Sequence, residues 1–316
     1  MTADDAILLA LGSINLDLQV RAERWPGPGE TLQVHDLLRT GGGKAANRAF
    51  LGRRLGVRAC LIGHVGDDDF ADEALRGPRA VGVELSQVAR VAGQATALAM
   101  IVVRADGDKT ILLAANANDA WSERDVEAAA QVVAAAPAGS VLTVDLEVPK
   151  AVVLAAVGAA RARGLQVVLD PSPADRMPDE LYPLIDVITP NPEEARTLVG
   201  IAVETERDAI RAGEQLCARG VRIACVKLPD GGAALVSADR REVVAPLDVE
   251  VVDKTGAGDA FAGALGVALL ERQELVQAVK FAVAASSLAV TGYGSQAAYP
   301  DRGRLERARA GRERRT

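Results

Sequence analysis

The sequence is poor in the side chains that most often carry metal or nucleophilic chemistry. Its 316 residues include two histidines, His35 and His64, and three cysteines, Cys60, Cys217 and Cys225. Because so few histidines and cysteines are present, we expect neither a zinc site nor a histidine-centred catalytic triad. The cysteines lack the spacing of metal ligands, and we interpret them as buried thiols of a protein in the reducing cytoplasm.

Long hydrophobic runs and basic clusters are also missing. The apolar run Ile7–Leu11 is short and follows two aspartates, so it predicts neither an export signal nor a membrane span. The net charge is −7, and the body of the chain has no basic cluster, so we expect no nucleic-acid or membrane partner. The arginine-rich end, Arg302–Arg315, is typical of a solvated terminal helix or tail.

What the sequence does contain is a regular alternation of short apolar runs and helical patterns from Val141 onward. The length and the 49% hydrophobic content suit one large α/β domain with a small appendage. Strands that are apolar throughout indicate a mostly parallel sheet covered on both faces, a Rossmann-like three-layer sandwich. The predicted strands are Val141–Val144, Leu165–Leu169, Ile185–Ile188 and Val221–Val226, and the predicted helices are Lys150–Arg163, Glu206–Arg219, Ala257–Leu270 and Leu275–Thr291.

Two segments interrupt this alternation. Leu18–Thr40 and Ala95–Leu113 contain paired β patterns and little helix. We expect them to pair into a separate small β-sheet, although an extra edge on the main sheet is the alternative. A small sheet with one apolar face exposed would favour pairing with a second copy of the chain, so the sequence predicts a homodimer.

A glycine-rich turn, Asp253–Asp259, leads into the helical pattern marked by Phe261, Leu265 and Leu269. A helix beginning near Ala257 would present unpaired N–H groups and the positive end of its dipole to an anion. A carboxylate in that first turn makes chemical sense if it removes a proton beside the bound anion. The alternative is that Asp259 is an ordinary helix-start residue.

A second glycine turn, Gly41–Asn47, also leads into a helical pattern. Three consecutive glycines allow a ligand to approach the backbone closely. The spacing is not that of a P-loop, because no G-x-x-x-x-G-K-[ST] occurs here.

Together the two glycine turns resemble the two signatures of the ribokinase-like (PfkB) family of carbohydrate kinases. The resemblance extends over nearly the whole chain and implies the ribokinase-like fold in a single domain of residues 1–316. In this family the small sheet, here about residues 15–40 and 95–114, is a lid over the sugar. Further matching segments are Gly12–Asp17, Pro26–Thr31, Asn116–Asn118, Leu146–Pro149, Asp170–Ala174 and Thr189–Glu194.

The resemblance implies a sugar site made of hydrogen-bonding side chains and exposed backbone. Asp17 follows a strand in an apolar setting, where an unpaired carboxylate would be costly, and this favours a ligand-facing role. For Glu147, capping of the helix that follows Pro149 is the alternative. The implied sugar-binding residues are Asn15, Asp17, Gly42, Gly43, Lys44, Asn47, Glu147 and Asp259.

The resemblance also implies that ATP lies along the carboxyl edge of the sheet, with its γ-phosphate at the N–H groups of Gly256, Ala257 and Gly258. Asp259 would then take the proton from the primary hydroxyl of the sugar. The sugar implied is D-ribose, with fructose, deoxyribose, 2-keto-3-deoxygluconate or a nucleoside as alternatives. The other implied contacts are Asn191, Lys227 and Gly232 for the nucleotide, and Glu194 and Asp253 for metal.

The metal implied at Glu194 is Mg²⁺, which prefers oxygen ligands and keeps several waters. The same residues also fit a capping box, with Asn191 as the N-cap. A monovalent cation such as K⁺ is implied near Asp253. Lys254 stands where the family has threonine, and its ammonium close to that carboxylate argues against activation by K⁺.

Two other functions fit the sequence less well. A dinucleotide-dependent dehydrogenase needs a G-x-G-x-x-G motif after the first strand, and Gly12–Asn15 does not supply it. A sugar-binding protein would not need a carboxylate beside an anion-binding turn, and it should ignore ATP.

Overall fold

The computed structural model of the protein describes residues 5–104 and 107–313, where strands and helices alternate. The strands are β1 (Leu8–Leu11), β2 (Asn15–Arg21), β3 (His35–Gly42), β4 (Ala59–Gly66), β5 (Val88–Val91), β6 (Ala97–Val103), β7 (Lys109–Ala114), β8 (Val141–Val144), β9 (Gln166–Leu169), β10 (Val187–Ile188), β11 (Ile223–Lys227), β12 (Ala233–Ser237) and β13 (Arg241–Val244). The helices are α1 (Lys44–Arg54), α2 (Asp69–Ala74), α3 (Arg76–Ala80), α4 (Glu123–Ala135), α5 (Lys150–Arg163), α6 (Pro192–Val199), α7 (Glu206–Ala218), α8 (Ala257–Leu270), α9 (Leu275–Ala289) and α10 (Arg302–Glu313).

The central sheet of the described residues has nine strands in the order β13-β12-β11-β10-β9-β8-β1-β4-β5. From β5 to β11 neighbouring strands are parallel, and β12 and β13 add an antiparallel hairpin at one edge. The middle strands β1 and β8 are buried along their whole length, and all their residues except Thr143 are apolar. Both faces of the sheet are therefore covered, as the apolar strand patterns predict.

Two apolar clusters form the core, one on each face of this sheet. One contains most of α1, α8 and α9, and the other contains the inner faces of α4 to α7. Helix α8 is buried along nearly its whole length because it packs against both α1 and α9. The three-layer arrangement predicted from the sequence is confirmed.

The two inserted segments form a separate four-stranded sheet with the order β3-β2-β6-β7. It is not an extra edge of the central sheet. Alternation along β6 buries Ala99 and Ile101 on one face, whereas Met100 on the other face keeps 44% of its surface exposed. One face of the small sheet therefore turns inward and the other outward.

Several element boundaries differ from prediction by one or two residues; for example, β11 covers Ile223–Lys227 where Val221–Val226 is predicted. The strand expected over Ile185–Ile188 is reduced to Val187–Ile188, because a 3₁₀ helix runs through Asp179–Leu184 directly before it. The helix expected to reach Thr291 ends at Ala289. The arginine-rich end is helical as far as Glu313, and the rest of that segment lies outside the described residues.

Within residues 5–104 and 107–313, no helix has the length and apolar character needed to cross a membrane.

Candidate active site

A cavity lies between the inner face of the small sheet and the carboxyl ends of the central strands. Ligands bind at this edge in open α/β sheets. The structure brings most of the predicted site residues to its lining: Asn15, Asp17, Gly43, Lys44, Asn47, Glu147, Asn191, Glu194, Lys227, Gly256, Gly258 and Asp259.

Polar side chains on β2 form one end of the cavity. Asn15 and Asp17 are two residues apart on the strand, so they point to the same face, and both are buried. Asn118 donates to the Asn15 amide oxygen at 2.8 Å and thereby orients it. A Cβ at Gly42 would lie 2.0 Å from the Asp17 carboxylate, so Gly42 makes room for that carboxylate rather than lining the cavity.

Two carboxylates at this end are held in a low-polarity setting. Burial, and then repulsion from Asp259 and Glu147, raises the pKa of Asp17 to about 8. Burial also raises the pKa of Glu147 to about 7. The N-cap of α5 is Pro149 and has no side-chain cap, so the helix-capping alternative for Glu147 is not supported. The Glu147 Oε2 atom is buried without a hydrogen-bond partner, as expected of a group that awaits a ligand.

Asp259 lies in the first turn of α8 at the centre of the cavity lining. Asn47 donates to its Oδ2 atom at 2.7 Å, and Gln296 in turn donates to the Asn47 amide oxygen at 3.1 Å. The Lys44 ammonium is 3.8 Å from the other oxygen, Oδ1. These contacts hold the carboxylate in one orientation without enclosing Oδ1 completely.

The N-terminus of α8 is open to an anion. Gly256 is the N-cap, with a left-handed φ of 73°, and no side chain caps the helix. The Tyr299 hydroxyl donates to the Gly256 carbonyl at 2.8 Å and fixes this turn. A Cβ at Gly258 would lie 3.3 Å from the Lys227 ammonium, so that ammonium stands over the helix N-terminus. Helix N–H groups and a lysine therefore converge where negative charge would be stabilised.

Asp170 connects the two lysines that flank this anion site. It follows β9 directly and is buried, with Lys44 3.6 Å from one oxygen and Lys227 3.5 Å from the other. Although burial opposes it, the two ammonium groups hold the pKa of Asp170 below its ordinary value. The pKa of Lys44 is raised well above its ordinary value by Asp170 and Asp259, again against the effect of burial.

Asn191 and Glu194 form a complete capping box at the start of α6. The Asn191 side chain accepts from the Glu194 N–H at 2.8 Å, and the Glu194 carboxylate accepts from the Asn191 N–H at 2.8 Å. Both residues nevertheless line the cavity. Within the described part of the chain, no group of three or more histidine, cysteine, aspartate or glutamate side chains could hold a metal ion. The capping role predicted as an alternative is therefore present, and the metal role of Glu194 stays a prediction.

Three other predicted residues lie away from the cavity lining. Ala257 is in the first turn of α8, and its carbonyl accepts from Ser286. Gly232 belongs to the turn before β12, where its N–H donates to Asp230. Asp253 is buried below the glycine turn.

The expectation that the Lys254 ammonium lies close to the Asp253 carboxylate is wrong. Its ammonium lies 2.7 Å from Asp108 Oδ1 at the surface, where the two side chains are about half exposed. The acidic side chain on the neighbouring β6–β7 connection draws the lysine away from Asp253.

Sequence reasoning missed two charged lining residues, Asp170 and Lys109. Asp170 stands directly after a buried strand, and acidic residues in that position are the signal that could have identified it. Lys109 opens β7, and burial lowers the pKa of its ammonium. Nothing in the local pattern around Lys109 distinguishes it from a surface lysine of a hairpin.

Comparisons with known proteins agree with this geometry. The family model described as "pfkB family carbohydrate kinase" matches residues 6–302. A ribokinase of Haemophilus influenzae is 32% identical over 295 residues, which cover 93% of this chain and 95% of that protein. A deoxyribokinase of Salmonella typhi is 31% identical over 294 residues, covering 93% and 95% of the two chains.

A solved structure of Arabidopsis thaliana ribokinase, described as complexed with ribose and ATP, superimposes with a TM-score of 0.83. It is 29% identical and covers 96% of this chain and 98% of its own. The match of the family model over almost the whole chain, together with a carboxylate at an open helix N-terminus, leads to one conclusion. The chain belongs to the pfkB family of carbohydrate kinases.

Proposed function

We propose that the protein transfers the γ-phosphate of ATP to the primary hydroxyl of a small sugar, and that the sugar is D-ribose. The observation that carries the proposal is the arrangement at the start of α8. There Asp259 lies in the same helical turn as the Gly256–Gly258 anion site. A proton acceptor beside a site for transferred negative charge is what phosphoryl transfer to an alcohol requires.

In this mechanism Asp259 acts as the general base. Asn47 and Lys44 orient its carboxylate, and Oδ1 takes the proton as the sugar oxygen attacks in line. The N–H groups at the α8 N-terminus and the Lys227 ammonium stabilise the charge on the transferred group. The small sheet covers the sugar and excludes water, which would otherwise consume ATP by hydrolysis.

The residues present fit a Mg²⁺ ion at the nucleotide end. Carboxylate groups of Glu194 and Asp170 face the same cavity, and Asp170 is paired there with the Lys44 and Lys227 ammonium groups. When bound with ATP, Mg²⁺ would be held by Glu194 and waters and would neutralise phosphate charge. The nucleotide itself would contact Asn191 and Lys227 along the carboxyl edge of the sheet.

The choice of D-ribose rests on the hydrogen-bonding groups at the far end of the cavity. Asn15, Asp17 and Glu147 supply acceptors for several hydroxyls, and all three line the cavity. A site built around such acceptors rejects analogues that leave one of them unpaired. The ribokinases of Haemophilus influenzae and Arabidopsis thaliana support the choice, whereas the similarly related deoxyribokinase makes 2-deoxyribose the closest competitor.

A panel of sugars in an ATP-consumption assay tests this proposal. D-Ribose should give the highest kcat/KM, ahead of 2-deoxyribose, fructose and 2-keto-3-deoxygluconate, and the product should be D-ribose 5-phosphate. A higher kcat/KM for one of the competitors would leave a sugar kinase but remove ribose as its substrate. ATP consumption that no sugar increases would contradict the kinase proposal itself.

The proposal includes a homodimer formed through the outer face of the small sheet, which comprises Leu18, Val20, Leu37, Leu98, Met100, Val102 and Leu112. Leu37, Met100 and Leu112 keep 67%, 44% and 63% of their surface exposed. An apolar sheet face of this kind gains stability when a second copy covers it.

A cytoplasmic location completes the proposal, because the cytoplasm supplies ATP and keeps thiols such as Cys60 reduced.

A further inference from the structure

One lysine interrupts the apolar face that the small sheet turns toward the cavity. Strands β6 and β7 contribute Lys109 to the cavity lining, together with four apolar residues: Ala99, Ile101, Ile111 and Leu113. Lys109 is the first residue of β7, so it stands beside the β6–β7 connection. An ammonium group in an apolar lining loses hydration, so it is stable there only with a polar or charged partner.

The β6–β7 connection rests on the glycine turn and places Lys109 there. The Lys254 N–H donates to the Gly107 carbonyl at 3.3 Å, and the Lys109 ammonium donates to the Lys254 carbonyl at 3.3 Å. That carbonyl also accepts from the Ala257 N–H at 3.4 Å, so the ammonium and the first turn of α8 meet at one oxygen atom. Lys109 therefore stands beside the turn at which the γ-phosphate of ATP is proposed to bind.

Lys109 differs in its partners from the other two lysines of the cavity. The Lys44 ammonium lies 3.6 Å from an Asp170 oxygen and 3.8 Å from an Asp259 oxygen. The Lys227 ammonium lies 3.5 Å from the other Asp170 oxygen. Among the residues that the structure describes, the Lys109 ammonium has no carboxylate within 4 Å, and its one hydrogen-bond partner is a backbone carbonyl. Burial lowers the pKa of Lys109, and the attraction of Asp259 does not offset that effect.

The ammonium of Lys109 has donors left for a ligand. It carries three N–H groups, and the Lys254 carbonyl takes one of them. A sugar hydroxyl could accept another but would leave the positive charge without a counter-charge. A phosphoryl group supplies both acceptor oxygens and negative charge, and during transfer that charge is spread over its three equatorial oxygens. The chemistry of the lysine therefore favours the phosphoryl group as its ligand.

We propose that Lys109 binds the phosphoryl group that is transferred, so that the small sheet supplies a catalytic cation as well as a cover for the sugar. The γ-phosphoryl group leaves the ADP oxygen and bonds to the sugar oxygen, whose proton goes to Asp259, while Lys109 keeps its own proton throughout. With Lys227 over Gly258, an ammonium group stands at each end of the segment that receives the charge. The inference rests on the proposed kinase activity.

The kinetic test compares the wild type with Lys109→Met, which keeps an unbranched side chain but removes the charge. This variant should lower kcat with ribose by about 10–100-fold, the effect of a lost hydrogen bond to a charged group, with a smaller change in the KM for ribose. Lys109→Arg should recover most of the rate, because it keeps a cation. The matched control is Lys254→Met, which removes an ammonium that contacts the same hairpin from the surface and should keep the wild-type rate.

Calorimetry tests the same contact without turnover. Lys109→Met should bind AMP-PNP, a non-hydrolysable analogue of ATP, about tenfold more weakly than the wild type does. It should bind ADP with nearly the wild-type affinity, because only AMP-PNP places a γ-phosphate at the glycine turn. If no sugar is phosphorylated, the kinase proposal fails, but this comparison still decides whether Lys109 binds the terminal phosphate.

A Lys109→Met variant with the wild-type kcat, or with the wild-type affinity for AMP-PNP, would overturn the proposal. Equal weakening of AMP-PNP and ADP would also overturn it, because the ammonium would then hold the turn or an inner phosphate. An equal loss of rate in Lys254→Met would show that docking of the hairpin matters and not the charge of Lys109. If Lys109→Met does not fold, Lys109→Gln is used in its place, with the same expected results.

Discussion

The residues that the sequence identifies best are those whose chemistry is unusual for their position. Asp17 and Asp259 are acidic groups in otherwise apolar or glycine-rich settings, and both line the cavity. Asp170 belongs to a segment that matches the family and directly follows a buried strand, but it was not identified as a site residue. Its lysine partners come from two other elements, and Gln19 likewise contacts the Asp253 carboxylate, 234 residues away. Contacts of this kind exist only after folding, so a local pattern can mark such a residue but cannot predict its partners.

The pKa of Asp17 leads to a prediction about pH at the residue scale. Because this pKa is about 8, Asp17 keeps its proton at neutral pH in the free site. Sugar hydroxyls that donate hydrogen bonds need the ionised carboxylate, so binding releases the proton. Ribose affinity, measured by calorimetry, should therefore rise as the pH is raised from 6 to 8 and level off above 8.

Glu147 faces the same cavity, and burial raises its pKa to about 7, so the control removes it. Glu147→Gln should keep a rise in affinity with pH, shifted below pH 8 because repulsion from Glu147 no longer raises the pKa of Asp17, whereas Glu147→Gln combined with Asp17→Asn should show none. An affinity of Glu147→Gln that is constant from pH 6 to 9 would mean that Asp17 does not change its protonation on binding.

At the scale of elements, the spacing of apolar residues predicts most of the helices and strands of the fold. Helix α8 begins at Ala257 as predicted, because the glycine turn ends where the apolar spacing of the helix starts. The error at Ile185 has a physical reason. The apolar residues before β10 are buried too, but the chain there forms a 3₁₀ helix. A short run of apolar residues does not distinguish a buried 3₁₀ helix from a buried strand.

Helix α6 provides a prediction that separates capping from metal binding. Glutamine serves in a capping box as glutamate does, so Glu194→Gln should leave the melting temperature nearly unchanged. If Glu194 also holds Mg²⁺, the same variant should need a higher Mg²⁺ concentration for half-maximal rate, with a smaller effect on the KM for sugar. Glu193→Gln, at the exposed neighbouring acid, is the matched control. An Mg²⁺ titration of Glu194→Gln that overlays the wild type would support capping alone.

At the scale of the whole molecule, the outer face of the small sheet predicts self-association. Sedimentation at micromolar concentration should show a dimer of the wild type. A charge at the centre of that face, Met100→Asp, should shift the protein toward monomer, because burying an unpaired carboxylate is costly. Gln131→Asp places the same charge at an exposed position of α4 and should leave the dimer intact. A wild type that is monomeric at this concentration would contradict the dimer.

Asp259→Asn tests the central claim most directly. Asparagine keeps the shape of the side chain and its contact with Asn47 but cannot accept the proton at neutral pH. The variant should bind ribose and ATP with nearly normal affinity, measured by calorimetry, while kcat falls by about 10²–10⁴-fold, the usual loss for a general base. Turnover above a tenth of the wild-type value, with binding intact, would show that Asp259 is not the base of this enzyme.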